Sequence, residues 1–202
     1  MIYIYIIIIY ISYSMNITFI GNCQTLALCF YFQQLLNSKN YHIHWLLYGE
    51  EFRQHIGTWS AKCNNRITDY NTSIQIIKDS DIIIYQNIDE NRSPFCNTNT
   101  LKMTSKGSCK LIQISSIYLI YDDFNNSIKE LIHRENIYNV DIKVSSIFNN
   151  FKYRNMMLTY NHPNTFLFME IVKILCNFLG LDFFTEAQYN NFLKKDNYVE
   201  LP

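Results

Sequence analysis

Glycine and proline are scarce in this chain, five and three among 202 residues. No proline-rich or charged linker interrupts it, and its length lies within the range of one domain, so no second domain need be invented. Basic residues are not in excess. Seventeen Lys and Arg balance seventeen Asp and Glu, with no basic stripe interleaved with aromatics, which argues against nucleic acid as a partner. Paired thiols are missing too. The six cysteines, at 23, 29, 63, 96, 109 and 176, form no C-x-x-C pair, which speaks against a structural metal and for a reducing, cytoplasmic setting. Cys29 and Cys176 fall on apolar helical stretches, where a free thiol packs as a small hydrophobe. No P-loop, GxGxxG, GxSxG or HExxH occurs. Nucleotide hydrolysis, dinucleotide oxidoreduction and zinc proteolysis therefore lack their usual sequence support.

What is present reads as globular. The hydrophobic fraction is 49% against 17% charged, and the aromatic fraction is 16%, a composition that does not favour disorder. Asn is abundant, so the N-x-S/T triplets at Asn16, Asn71, Asn91 and Asn125 are expected by chance and do not argue for secretion. Residues 1–14 are almost all Ile and Tyr, too short to span a bilayer and without the basic start of a signal peptide. Three readings fit them: a membrane-proximal anchor, an extra edge strand, or sequence upstream of a true start at Met15. Membrane association is expected only through them.

From Met15 onward, β-branched runs alternate with helical stretches, the pattern of a parallel sheet covered on both faces. The expected fold is a single α/β domain over 15–202, a three-layer sandwich with a mainly parallel sheet. Strands are expected at 17–20, 42–47, 82–85, 110–114 and 156–159. Helices are expected at 25–36, around 50–56, and at 72–78, 97–105 and 126–135. Pro163 suits the first turn of a last helix, in which Phe168, Ile171, Leu175 and Phe178 share a face opposite Glu170, Lys173 and Asn177, and Gly180 is its stop signal.

Gly21-Asn22-Cys23-Gln24 follows the first strand and opens the first helix, at the carboxyl end of a strand, where open parallel sheets place ligands. Gly21 suits a tight turn. A thiol at a helix N-terminus sees the positive end of the dipole, which favours the thiolate and makes Cys23 a candidate nucleophile; the competing reading is a buried cysteine filling a gap. His162, expected at a second strand-to-helix junction on the same sheet edge, is a candidate general base kept neutral by its position, or else a simple cap. Candidate oxyanion and substrate donors are Gly21, Asn22, Gln24, Gln86, Asn87 and Asn161. Arg134, Lys152 and Arg154 could hold cofactor phosphates or be solvated charges. His42 and His44 share a strand face but lack a third metal ligand, and Asp122-Asp123 reads as a turn or helix start.

The segment 17–24 with its GNCQ, Ser80-Asp81 to Gln86, and Asn161-His162-Pro163 opening an apolar terminal helix together resemble the WcbI family of polysaccharide biosynthesis proteins, over Met15 to about Gly180. That resemblance implies an acetyltransferase-type enzyme that uses coenzyme A or acetyl-CoA and a carbohydrate, with Cys23 and His162 at its centre; no metal is expected, on the cysteine and histidine spacing above. The layout is also similar to SGNH hydrolases and, in its sheet, to flavodoxin-like folds. In the SGNH comparison cysteine stands for serine, and Thr159 stands where those enzymes carry aspartate, which puts a full hydrolase triad in doubt. The expected function is acyl transfer to a sugar hydroxyl. The alternatives are an SGNH-like carbohydrate esterase and a non-catalytic carbohydrate-binding relative.

Overall fold

Runs of Ile and aromatic residues build the sheet because side chains alternate across a strand and both faces must be covered. The computed structural model describes residues 14–35, 41–47, 70–86, 97–119, 123–151, 155–159, 161–181 and 185–194. Four strands, β1 (Met15–Gly21), β2 (Tyr41–Leu47), β3 (Ile82–Gln86) and β4 (Lys110–Ile114), pair in parallel in the order β2-β1-β3-β4. The central strand β3 is buried at every position. Ile114 also makes an isolated parallel bridge to Ile142, which carries the sheet one residue pair beyond β4.

The helices are α1 (Cys23–Leu35), α2 (Tyr70–Asp79), α3 (Thr98–Thr104), α4 (Phe124–Ile137), α5 (Ser145–Asn150), α6 (Thr165–Leu179) and α7 (Glu186–Lys194). Ile17, Phe19, Ile43, Trp45, Ile84 and Ile112 face one way and pack with α1 and α6. Ile20, Leu46, Ile83 and Tyr85 face the other way and pack with Ile77 of α2 and Leu101 of α3. The result is the expected three-layer α/β sandwich. Phe32 of α1 meets Phe19 of β1 edge to face, with ring centroids 5.3 Å apart, and Tyr31 stacks on Phe168 of α6 at 5.5 Å. The Tyr31 hydroxyl also lies 2.9 Å from Thr165 Oγ1, so α1 is fixed against the first residue of α6.

Strand order decides where a ligand can bind. β2 lies to one side of β1 while β3 and β4 lie to the other, so the order reverses between β1 and β3, the switch point beyond whose carboxyl ends open parallel sheets place their ligands. Gly21 and Gln86, the last residues of those two strands, flank it.

The structure corrects the end of the chain. Residues 156–159 were expected to add a strand to the sheet. Instead β5 (Met157–Thr159) pairs antiparallel with β6 (His162–Pro163) in a separate two-stranded sheet, because only a tight turn separates them and a parallel pair requires a long crossover. Pro163 therefore lies in β6 and not in the first helical turn. Asn164 caps α6 by accepting from Leu167 N at 3.1 Å, and His162 sits two residues before that cap. Gly180 ends α6 with a left-handed φ of 66°, as expected. On α6, Phe168, Ile171 and Leu175 are buried as expected, whereas Phe178 is exposed. Glu170, assigned to the outer face, is buried, its carboxylate accepting from the Tyr189 hydroxyl of α7. The helix expected around 50–56 lies outside the described residues.

Candidate active site

The GNCQ segment is built by close packing. Gly21 ends β1 in extended conformation, so the expected tight turn is not what requires glycine there. A Cβ on Gly21 would lie 2.0 Å from Thr25 Oγ1 and 3.0 Å from Gln86 Oε1. Asn22 is the N-terminal cap of α1: its Oδ1 accepts from Gln24 N at 2.9 Å and its carbonyl from Leu26 N at 3.1 Å. Cys23 is thus the first residue of α1, half-buried beyond the carboxyl end of β1.

The helix start does not make Cys23 a resting thiolate. Burial pushes its thiol above the ordinary value, and this outweighs the backbone N–H groups of Gln24 and Cys23, which act in the opposite direction. The expected depression of this thiol is therefore corrected. Attack by this sulfur requires a base to remove its proton.

Gln24 is the hub of the site. Its Nε2 donates to Ile117 O at 2.6 Å and to Asn161 O at 2.8 Å. Its Oε1 accepts from Ile117 N at 3.0 Å and from Gln86 Nε2 at 3.1 Å. Gln86 Nε2 also donates to Ser115 O at 3.2 Å, and its Oε1 accepts from Thr25 Oγ1 at 2.7 Å. A carboxamide has two N–H groups and an oxygen with two lone pairs. Every amide hydrogen of Gln24 and Gln86 is thereby engaged within the protein. Neither is available to a developing oxyanion, so the donor role expected of them becomes one of holding four chain segments together. Asn22 Nδ2 and Asn161 Nδ2 have no hydrogen-bond partner among the described residues.

His162 follows directly on the carbonyl that Gln24 holds. Its ring is half-buried, with Nδ1 2.7 Å from Thr159 Oγ1, and the same hydroxyl lies 3.1 Å from Asn161 Oδ1. Desolvation holds the His162 pKa below the ordinary imidazole value. The ring is neutral near pH 7 and able to take up a proton.

Arg134 is engaged within the protein through part of its guanidinium. Its Nη1 and Nη2 donate to the carbonyls of Ser116 and Tyr118 at 3.2 and 3.1 Å, and its Nε faces Glu130 at 3.6 Å. It fastens α4 to the segment after β4. Lys152, Arg154 and Asn87 lie outside the described residues. Cys29 and Cys176 are buried in α1 and α6 as expected, burial pushing the Cys176 thiol up to about 11. Asp123 caps α4 by accepting from Asn126 N at 3.0 Å. Among the described residues no three His, Cys, Asp or Glu side chains cluster in a way that could hold a metal, and no helix is long and apolar enough to cross a membrane.

Sequence reasoning missed Thr25, Ser115, Glu135 and Ser145. Ser115 and Ser145 hydroxyls both donate to the buried Glu135 carboxylate, and Ser145 N donates to it at 3.1 Å. This carries the polar network from Gln86 through Ser115 to α4 and α5. Gln86 and Gln113, polar residues inside apolar strand runs, were the available signal. Thr25 and Glu135 carry none, since their partners lie 61 and 20 or fewer residues away respectively in no local pattern.

No family model matches the chain, and the search of curated proteins returns no match.

Proposed function

We propose that this protein is an acyltransferase that moves an acyl group, acetyl in the simplest case, from an acyl-CoA thioester to a sugar hydroxyl in polysaccharide biosynthesis. The observation that carries this reading is the 2.8 Å bond from Gln24 Nε2 to Asn161 O, which joins the residue after Cys23 to the residue before His162. It holds the segment before His162, in the separate β5–β6 hairpin, against the start of α1, which supports reading the Cys23 thiol and the His162 imidazole as parts of one site beyond the carboxyl end of β1. The GNCQ and NHP resemblance supplies the substrate class, and cytoplasmic supply of acyl-CoA supplies the setting.

Two routes use these groups. In the covalent route His162 takes the Cys23 proton as sulfur attacks the thioester carbonyl, and the coenzyme A sulfur leaves with that proton. The sugar hydroxyl then attacks the Cys23 thioester, giving its proton to His162, which passes it to the departing Cys23 sulfur and so restores the thiol. In the direct route His162 takes the sugar proton as the hydroxyl oxygen attacks the thioester carbonyl, the carbon–sulfur bond breaks, and the coenzyme A sulfur leaves with that proton, while Cys23 only lines the site. Burial, which raises the Cys23 pKa, gives the base its role on the first route. Replacing Cys23 with Ala separates them, since only the direct route survives it.

Coenzyme A binding is tested without turnover. A ligand that binds only the folded state raises its stability, so coenzyme A at about a hundred times its Kd adds about 2.7 kcal/mol and raises Tm. No shift at millimolar coenzyme A refutes the cofactor assignment. Acid released from a model ester without coenzyme A assigns the site to an esterase instead, and sugar binding indifferent to loss of both Cys23 and His162 assigns it to a non-catalytic binder.

A further inference from the structure

We infer that Thr159 is a positioning residue that fixes the tautomer of His162, holding the ring proton on Nδ1 and leaving Nε2 as the bare nitrogen. Thr159 and His162 are paired across the β5–β6 hairpin, which puts their side chains next to each other on one face. The hydroxyl has two neighbours, Asn161 Oδ1 at 3.1 Å and His162 Nδ1 at 2.7 Å, and one proton to share between them. A carboxamide oxygen has no proton, so the hydroxyl must donate to Asn161 Oδ1. Its lone pair then faces Nδ1, and only a protonated Nδ1 makes that contact a hydrogen bond.

The reverse chain is chemically distinct. If the Asn161 amide is turned over, its Nδ2 donates to the hydroxyl, the hydroxyl donates to Nδ1, and the ring proton moves to Nε2. His162 Nε2 has no partner among the described residues, so in the inferred arrangement it is open to accept a proton from a substrate or a thiol. Thr159 does this without a charge. A carboxylate in its place would stabilise the imidazolium, whereas a hydroxyl orients the ring and leaves its basicity to its surroundings, consistent with the lowered pKa.

The catalytic meaning of this tautomer rests on the reading of His162 as the base, but its measurement does not. Ring-nitrogen resonances of His162 are read in a two-bond 1H–15N correlation spectrum at a pH where the ring is neutral, and His162→Gln assigns the signal among the five histidines. The wild type is expected in the Nδ1–H form. Thr159→Val, which keeps the branched shape and removes the hydroxyl, is expected to shift the ring to a majority of the Nε2–H form that histidine prefers in water. Thr159→Ser is expected to restore Nδ1–H. A wild-type ring in the Nε2–H form, or a Thr159→Val spectrum unchanged from wild type, overturns the inference. The expected spectra together with absent acyl transfer would leave the tautomer standing and remove the acyltransferase reading.

Discussion

Replacing Gln24 with Met keeps the side-chain length and removes four hydrogen bonds at once. Ile117 N, Ile117 O, Gln86 Nε2 and Asn161 O all lose a partner. Ile117 and Gln86 are 2% and 1% exposed, so water does not reach the groups left behind there. Asn161 is half-buried and its carbonyl can rehydrate. A buried polar group left unpaired costs about 1–3 kcal/mol, although neighbouring losses do not add in full. Three such groups imply a loss of about 3–5 kcal/mol, a large share of the roughly 5–15 kcal/mol that holds a domain folded. Urea unfolding followed by tryptophan fluorescence, to which Trp45, buried on β2, contributes, measures it. Adding Gln86→Met removes one of the orphaned donors, so the double variant is expected to lose less than the two single variants combined, by about 0.5–3 kcal/mol. A loss below about 1 kcal/mol for Gln24→Met with an unchanged m-value would refute the clamp.

Gly21→Ala forces a methyl group to within 2.0 Å of Thr25 Oγ1 and is expected to destabilise by about 1–3 kcal/mol, with Thr25→Ala recovering part of the loss; an Ala variant as stable as wild type in the same urea titration contradicts the packing argument. Alkylation of Cys23 by iodoacetamide, followed by peptide mapping, should be slower at pH 7 than for a free thiol and still rise above pH 9, because burial raises its pKa and only the thiolate reacts. A rate that levels off below pH 8 shows a depressed thiol and reverses the assignment of His162 as the group that must remove its proton.

The sheet was legible because central parallel strands are apolar on both faces: Ile82-Ile83-Ile84-Tyr85 admits no solvent-facing side. The ends of α6 divided. Gly180 was read correctly from its stop signal, but Pro163 drew the helix start two residues early, although Asn164 carried its own capping signal. The hairpin that holds His162 was mistaken for a sheet strand because Met156 to Thr159 fits a strand by pattern, and pattern alone does not say what a strand pairs with. Within the site, Cys23 and His162 were visible as residue types at strand ends. The direction of Gln24 was not. Whether its amide faces a ligand or Ile117, 93 residues away, is decided by the packing of the segment after β4. The sign of the Cys23 shift escaped for a similar reason, since the helix start is local and the burial that outweighs it is tertiary.

The proposed chemistry is tested most directly by following consumption of acetyl-CoA in the presence of a sugar acceptor, with the acylated sugar identified by mass, in wild type, Cys23→Ala and His162→Ala. Wild type should convert both substrates in equal amounts, and His162→Ala should lower turnover on the order of a hundredfold or more while remaining folded. Thioester consumption unaffected by loss of His162, or none in the wild type across a panel of sugars, would contradict it.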